Sequence, residues 1–152
     1  MNNSSLIKLF LRETRLYIKT EYVNIDFLSK IHGSEEFLIC YELNEQESQK
    51  IDPNEGLFLG SLVFFGERDN ERDLSIDVIN SSRREQVSLP KGDYVFVQQR
   101  SDKALSQPEW LKMAIELQKD GLWERHKLGN MLYIRFLYED GAIVTQIFRQ
   151  CR

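Results

Sequence analysis

With 152 residues, 41% of them hydrophobic and 11% aromatic, the chain can build one domain or two small fused repeats around a sizeable core. A formal net charge of -4, with only the short basic pair Arg83-Arg84, argues against direct nucleic-acid binding, which needs clustered Lys and Arg. No apolar run approaches the roughly eighteen residues of a membrane span, and Met1 to Ser5 lacks the regions of a secretory signal, so a cytoplasmic protein with no membrane partner is expected.

Cys40 and Cys151 are too few and too far apart for a disulfide scaffold and read as reduced thiols. His32 and His126 fall in no metal-ligand spacing, so neither a metal nor a cofactor is expected.

In chain order, Leu6 to Leu11 is a short amphipathic stretch, read as an edge that packs on the core in preference to the remnant of a preceding helix. Arg15 to Glu21 alternates polar and apolar residues as a half-buried strand does. Asp26 to Gln49 is helix-prone, with Phe27, Leu28, Ile31, Leu38, Tyr41 and Leu43 as candidate buried positions, although Gly33 interrupts it and Phe37 to Tyr41 also reads as strand. Asp52 to Gly56 is a turn, Leu57 to Phe65 an apolar strand, and Asp73 to Ile79 a second strand after the charged loop Gly66 to Arg72. Asn80 to Gln86 is a polar connector.

The second half is more sharply punctuated. Ser88-Leu89-Pro90-Lys91-Gly92-Asp93 is a turn, with Pro90 fixing one φ and Gly92 free to take a positive one, and the strand Tyr94 to Val97 follows. Ser106-Gln107-Pro108-Glu109 has the form of a capping box with Pro in the first turn. Trp110, Leu111, Ala114, Leu117 and Gln118 then share one face of a helix of about fifteen residues, and Gly121 is placed to end it in the left-handed conformation. Met131 to Tyr138 and Ala142 to Phe148 are strands joined by the strong hairpin signal Asp140-Gly141.

The order strand, helix, strand, strand therefore occurs twice, over residues 14–80 and 87–150, and an internal duplication is the economical reading. The expected fold class is α+β: two pseudo-symmetric strand-helix-strand-strand repeats with antiparallel sheets in a single domain.

The run Ser88-Leu89-Pro90-Lys91-Gly92-Asp93-Tyr94, with its Pro-x-Gly-x-Tyr turn, resembles the gyrase-inhibitor-like family of effector-binding domains. The helix from Pro108-Glu109-Trp110 and the final hairpin fit that family as well, and before Val87 the likeness is one of topology. The resemblance implies two repeats whose sheets form a groove that binds small organic molecules, in multidrug sensing and transcriptional regulation. It also implies a possible protein partner, such as a topoisomerase.

Alternation along Met131 to Tyr138 separates Leu132, Ile134, Phe136 and Tyr138, the expected helix-packed core, from Met131, Tyr133, Arg135 and Leu137. A thioether, a phenol and a guanidinium on one face suit an adaptable ligand surface better than a dry core. Tyr17, Tyr41, Phe64 or Phe65, Tyr94 and Trp110 are the candidates to line the same groove, against the plainer reading of each aromatic as ordinary core. For Arg135 the plainer alternative is a salt bridge with an acidic neighbour such as Glu21.

In the multidrug-sensing branch a glutamate near the start of this strand attracts lipophilic cations, and the resemblance places Met131 at that position. Neutral Met131 beside Arg135 favours a neutral or anionic ligand. The chain carries no Gly-x-Ser-x-Gly, no His-Glu-x-x-His and no phosphate-cradling glycine loop, so no enzymatic activity is expected. Glu21, Glu42 and Glu124 are the residues on which the weaker alternative, hydrolysis by a groove glutamate, would rest, and a protein-interaction module is the third reading.

Overall fold

A computed structural model of the protein describes residues 7–19, 36–46, 63–68, 86–103 and 105–151. It is α+β, with strands β1 (Ile7–Leu11), β2 (Arg15–Lys19), β3 (Glu36–Glu42), β4 (Val63–Arg68), β5 (Gln86–Leu89) and β6 (Gly92–Ser101), helix α1 (Gln107–Trp123), and strands β7 (Leu128–Glu139) and β8 (Ala142–Cys151). All strand pairings are antiparallel, in the order β1-β6-β8-β7-β3-β4-β2-β5.

The two ends of this order are tied together by the chain itself. Ile7 to Leu11 pair with Phe96 to Gly92, and Arg15 to Ile18 pair with Leu89 to Gln86, so β1–β2 and β5–β6 are the two sides of one long ribbon. The ribbon bends where Arg12-Glu13-Thr14 faces Pro90-Lys91, and Pro90 has no N–H to offer a ladder. The Lys91 N–H donates to Thr14 Oγ1 at 2.9 Å, and the Tyr94 hydroxyl donates to the Pro90 carbonyl. Gly92 takes φ +138°, a backbone conformation that calls for glycine, and the Gln150 amide packs over the space where a Cβ would stand. Because β2 also pairs with β4 and β6 also pairs with β8, the sheet curls back on itself through this ribbon.

Curling gives the sheet an outer face and an inner one. On the outer face Trp110, Leu111, Ala114 and Leu117 of α1 pack with Leu132, Ile134, Phe136, Ile143 and Ile147. The helical face expected from spacing is the buried one, down to Gln118. On the inner face residues of seven strands meet, including Leu11, Tyr17, Leu38, Val87, Tyr94, Tyr133 and Phe148.

The hairpin signal is borne out. Glu139 pairs with Ala142, Asp140 and Gly141 take φ 49° and 81°, and the two-residue loop matches the twist of its strands. Within the Leu6 to Leu11 stretch, Ile7–Leu11 is an edge strand with Leu11 buried, in keeping with the packing reading.

Other expectations need correction. Glu36 to Glu42 is strand, the alternative that Phe37 to Tyr41 offered, and not the continuation of a helix, because β3 lies between β4 and β7 with Phe37 to Cys40 all buried, a setting that suits aromatic and β-branched residues. Ser88 and Leu89 belong to β5, so the turn begins at Pro90. Ser106 is the N-cap of α1 but makes no side-chain capping bond, so the capping box is not formed. The helix runs past Gly121 to Trp123, and the left-handed residue is Arg125 at φ 65°. The Arg125 N–H donates to the Leu122 carbonyl and the His126 N–H to the Gly121 carbonyl, which is the Schellman pattern. Gly121 serves packing, since a Cβ there would be 3.1 Å from Leu128 Cδ1. The expected features at 20–35, 47–62 and 69–85, including the strand Asp73 to Ile79, lie outside the described residues.

Candidate functional site

The inner face of β7, β8, β6 and β3 is laid out in cross-strand rows that the register defines. Arg135 stands opposite Gln146 on one side and Leu38 on the other, and Gln146 stands opposite Gln98. The next row is Cys40, Tyr133, Phe148 and Phe96. Beyond it Met131 of β7, Tyr94 of β6 and Leu9 of β1 belong to the same cluster, and Leu9 and Met131 are its partly exposed members. Solvent reaches the face at this end and also at Gln98, at the edge of the Arg135 row.

Arg135 is 9% exposed and held from several sides. Its Nε–H donates to Gln146 Oε1 at 2.7 Å, and Gln146 Nε2 donates to Gln98 Oε1 at 2.9 Å. Its guanidinium carbon lies 5.2 Å from the centre of the Phe148 ring, within cation–π range. Arg135 Nη1 is buried and has no hydrogen-bond partner among the described residues. The expected salt-bridge partner Glu21 lies outside the described residues.

Tyr17 links this row to β3 and β2. Its hydroxyl donates to Glu36 Oε2 at 3.1 Å, and Glu36 Oε1 lies 3.7 Å from Arg15 Nη1. Burial pushes the Tyr17 hydroxyl up to about 12, opposed by the charge of Arg135 and reinforced by that of Glu36. Burial and then Cys40 push Tyr133 up to about 12, and burial raises Tyr94 and the Cys40 thiol as well. At neutral pH these phenols are therefore neutral O–H donors, and Cys40 is a neutral thiol with no nucleophilic character. The Tyr94 ring meets Tyr133 and Phe148 edge-on, with centroids 6.2 and 5.8 Å apart, and Phe96 stacks on Phe148 at 5.2 Å.

No protein-family model matches the chain, and no curated protein matches it. The geometry alone therefore sorts the residues expected from sequence. Tyr17, Tyr94, Met131, Tyr133 and Arg135 come together on the inner face. Tyr41 and Trp110 do not join them: their rings lie 5.7 Å apart on the outer, helix-packed side, because Tyr41 pairs with Leu132, one position out of phase with Tyr133. Phe64 and Phe65 stand in β4 opposite Cys40 and Ile39, and their side chains lie outside the described residues.

Sequence reasoning missed Gln146, Gln98, Phe148 and Phe96. A signal for the first and third was present, since a two-residue Asp140-Gly141 loop sets Glu139 opposite Ala142, and counting back puts Arg135 opposite Gln146 and Tyr133 opposite Phe148. Gln98 and Phe96 needed the pairing of β6 with β8, which no turn dictates.

Of the glutamates considered for hydrolysis, Glu42 is exposed at the end of β3 opposite Met131, and Glu124 caps α1 with Oε2 3.3 Å from His126 Nε2. Glu21 lies outside the described residues. Among the described residues there is no cluster of metal-ligating side chains, and no helix is long and apolar enough to cross a membrane.

Proposed function

We propose that the chain is a non-enzymatic sensor of the gyrase-inhibitor-like kind, binding a small hydrophobic or aromatic molecule against the inner face of the sheet. The observation that carries the reading is the convergence of Tyr17, Tyr94, Met131, Tyr133 and Arg135 on that face. Flat rings and a thioether offer adaptable apolar area, and a single guanidinium with neutral phenols offers orientation.

The duplicated strand-helix-strand-strand plan, one effector-binding domain and a cytoplasmic role in transcriptional or drug response belong to the same proposal and follow from the resemblance. A ligand would act on a partner by binding one arrangement of the sheet more tightly than another.

The test is a thermal-shift screen of the purified chain with neutral aromatics, lipophilic cations and organic anions, since a ligand that binds only the folded state raises its apparent stability. A shift with one class that is lost in Tyr133→Ala is the expected result. No shift with any class overturns the reading.

The runner-up, a protein-interaction module, has its own observation. Leu122 and Trp123 end α1 exposed, Trp123 at 85%, and Phe10 on edge strand β1 is 62% exposed. Retention of a partner by the wild-type chain and its loss in Trp123→Ser, with the thermal-shift screen blank, would favour that alternative.

A further inference from the structure

We infer that the ligand of the inner face is an anion, specifically a carboxylate on an aromatic or apolar body, received by Arg135 Nη1 and the Tyr133 hydroxyl. The inference rests on the reading of this face as a ligand site and adds the charge of what it takes.

The first support is the unfinished state of Arg135. A buried guanidinium needs its N–H groups occupied, and an unpaired buried donor costs about 1–3 kcal/mol, more when charged. Gln146 takes Nε, the Tyr17 hydroxyl lies within hydrogen-bonding reach of the guanidinium and the Phe148 ring faces it, yet Nη1 has no partner among the described residues. An incoming carboxylate oxygen would complete the set with a charge-assisted bond.

The second support is the donor character of the surroundings. Tyr133 lies two residues from Arg135 on the same strand face, so their Cα atoms are about 7 Å apart. Its hydroxyl has no hydrogen-bond partner among the described residues and is neutral over the physiological range, so it offers a proton to an acceptor. A cationic ligand would meet a guanidinium and a phenol donor, and neither welcomes positive charge.

The third support is position. Two acidic groups of β3 share this face: Glu36 stands opposite Leu137, on the far side of Arg135 from Tyr133 and Met131, and Glu42 stands opposite Met131, exposed to water that screens its charge. Its Oε2 already accepts from Tyr17 and its Oε1 lies near Arg15. A ligand arriving at the Leu9–Met131 end passes the solvated Glu42 and reaches buried Tyr133 and Arg135 before it reaches Glu36, with Tyr94 and Phe148 beside its rings. One guanidinium, with a single positive charge and the buried Nη1 unpaired, suits a monoanion, whereas a phosphate dianion would bury a second charge with nothing to meet it.

The experiment measures binding of naphthalene-2-carboxylate, naphthalene-2-carboxamide and 2-naphthylmethylammonium to the full chain by titration calorimetry at neutral pH. The three share a ring and differ in charge. The expected result is that the carboxylate binds at least tenfold tighter than the amide and the ammonium weakest, with the acid–amide difference reduced to less than threefold in Arg135→Met and largely kept in Arg135→Lys. Equal binding of acid and amide, or tightest binding of the ammonium, overturns the anion inference and leaves the small-molecule reading standing. No binding of any of the three counts against both. If Arg135→Met fails to fold by circular dichroism, the wild-type acid–amide ratio and Arg135→Lys decide the matter without it.

Discussion

Replacing Gln146 with Leu keeps the volume at the centre of the inner face but removes the acceptor for Arg135 Nε, a buried bond of 2.7 Å to a charged group. Such a bond contributes about 1.5–3 kcal/mol, and its loss leaves a second guanidinium donor unpaired beside Nη1. Gln98, the other partner of Gln146, is exposed and turns to water at little cost. The expected destabilisation of Gln146→Leu is therefore about 2 kcal/mol. Arg135→Met removes the buried charge and the contact with Phe148, which contributes about 0.5–1 kcal/mol, and leaves an uncharged amide with one acceptor unused, so a loss of about 1 kcal/mol is expected. With both changes neither group is stranded, and an apolar pair in place of a buried charged one is close to neutral. Urea unfolding of the four proteins measures the cycle, provided the slopes agree. The double variant should lie within about 1 kcal/mol of wild type, with a coupling of about 2 kcal/mol. Strict additivity, with coupling below about 0.5 kcal/mol, would refute the account of Arg135 as a cation dependent on Gln146.

Two further outcomes follow from the same structure. Tyr17 and Tyr133 hold their protons to about 12 in the folded protein, against 10.0 ordinarily, so the unfolded chain loses protons first as pH rises. Their contribution is complete below pH 10 and drains away between pH 10 and 12, and unfolding free energies that stay level through pH 12 would contradict their burial. At the end of α1, Arg125→Gly should raise stability by about 1 kcal/mol, because a side chain in the left-handed conformation costs about that much and the Schellman bonds are unchanged. Thermal unfolding reads this directly, and a lower midpoint would show that the Arg125 side chain contributes more than its backbone costs.

The parts of this protein decided by near neighbours were open to reading from the sequence. Helix α1 declares its buried face through 3.6-residue spacing, and Asp140-Gly141 sets the β7–β8 hairpin because both loop residues tolerate positive φ. Strict alternation along β7 then assigns Tyr133 and Arg135 to one face and Leu132, Ile134 and Phe136 to the other, although Tyr138, expected in the same core, is exposed at the end of the strand. Near neighbours say nothing of which distant strands will lie side by side. Phe37 to Tyr41 was open to helix and to strand, because a strand buried on both faces loses the two-residue period that would decide between them, and pairing made it strand. Tyr41 and Trp110 looked as suitable for the site as Tyr94, since an aromatic residue carries no mark of the face it will occupy. Only the pairing of β3 with β7, with Cys40 opposite Tyr133, puts Tyr41 on the helix side and brings Glu36 to Tyr17. The bent ribbon of β1–β2 with β5–β6 likewise joins segments far apart in the chain, and its closure encloses Arg135. The sequence by itself determined the chemistry carried by each strand, and tertiary pairing decided which of those groups face one another, because backbone hydrogen bonds between distant strands depend on register and not on any local residue.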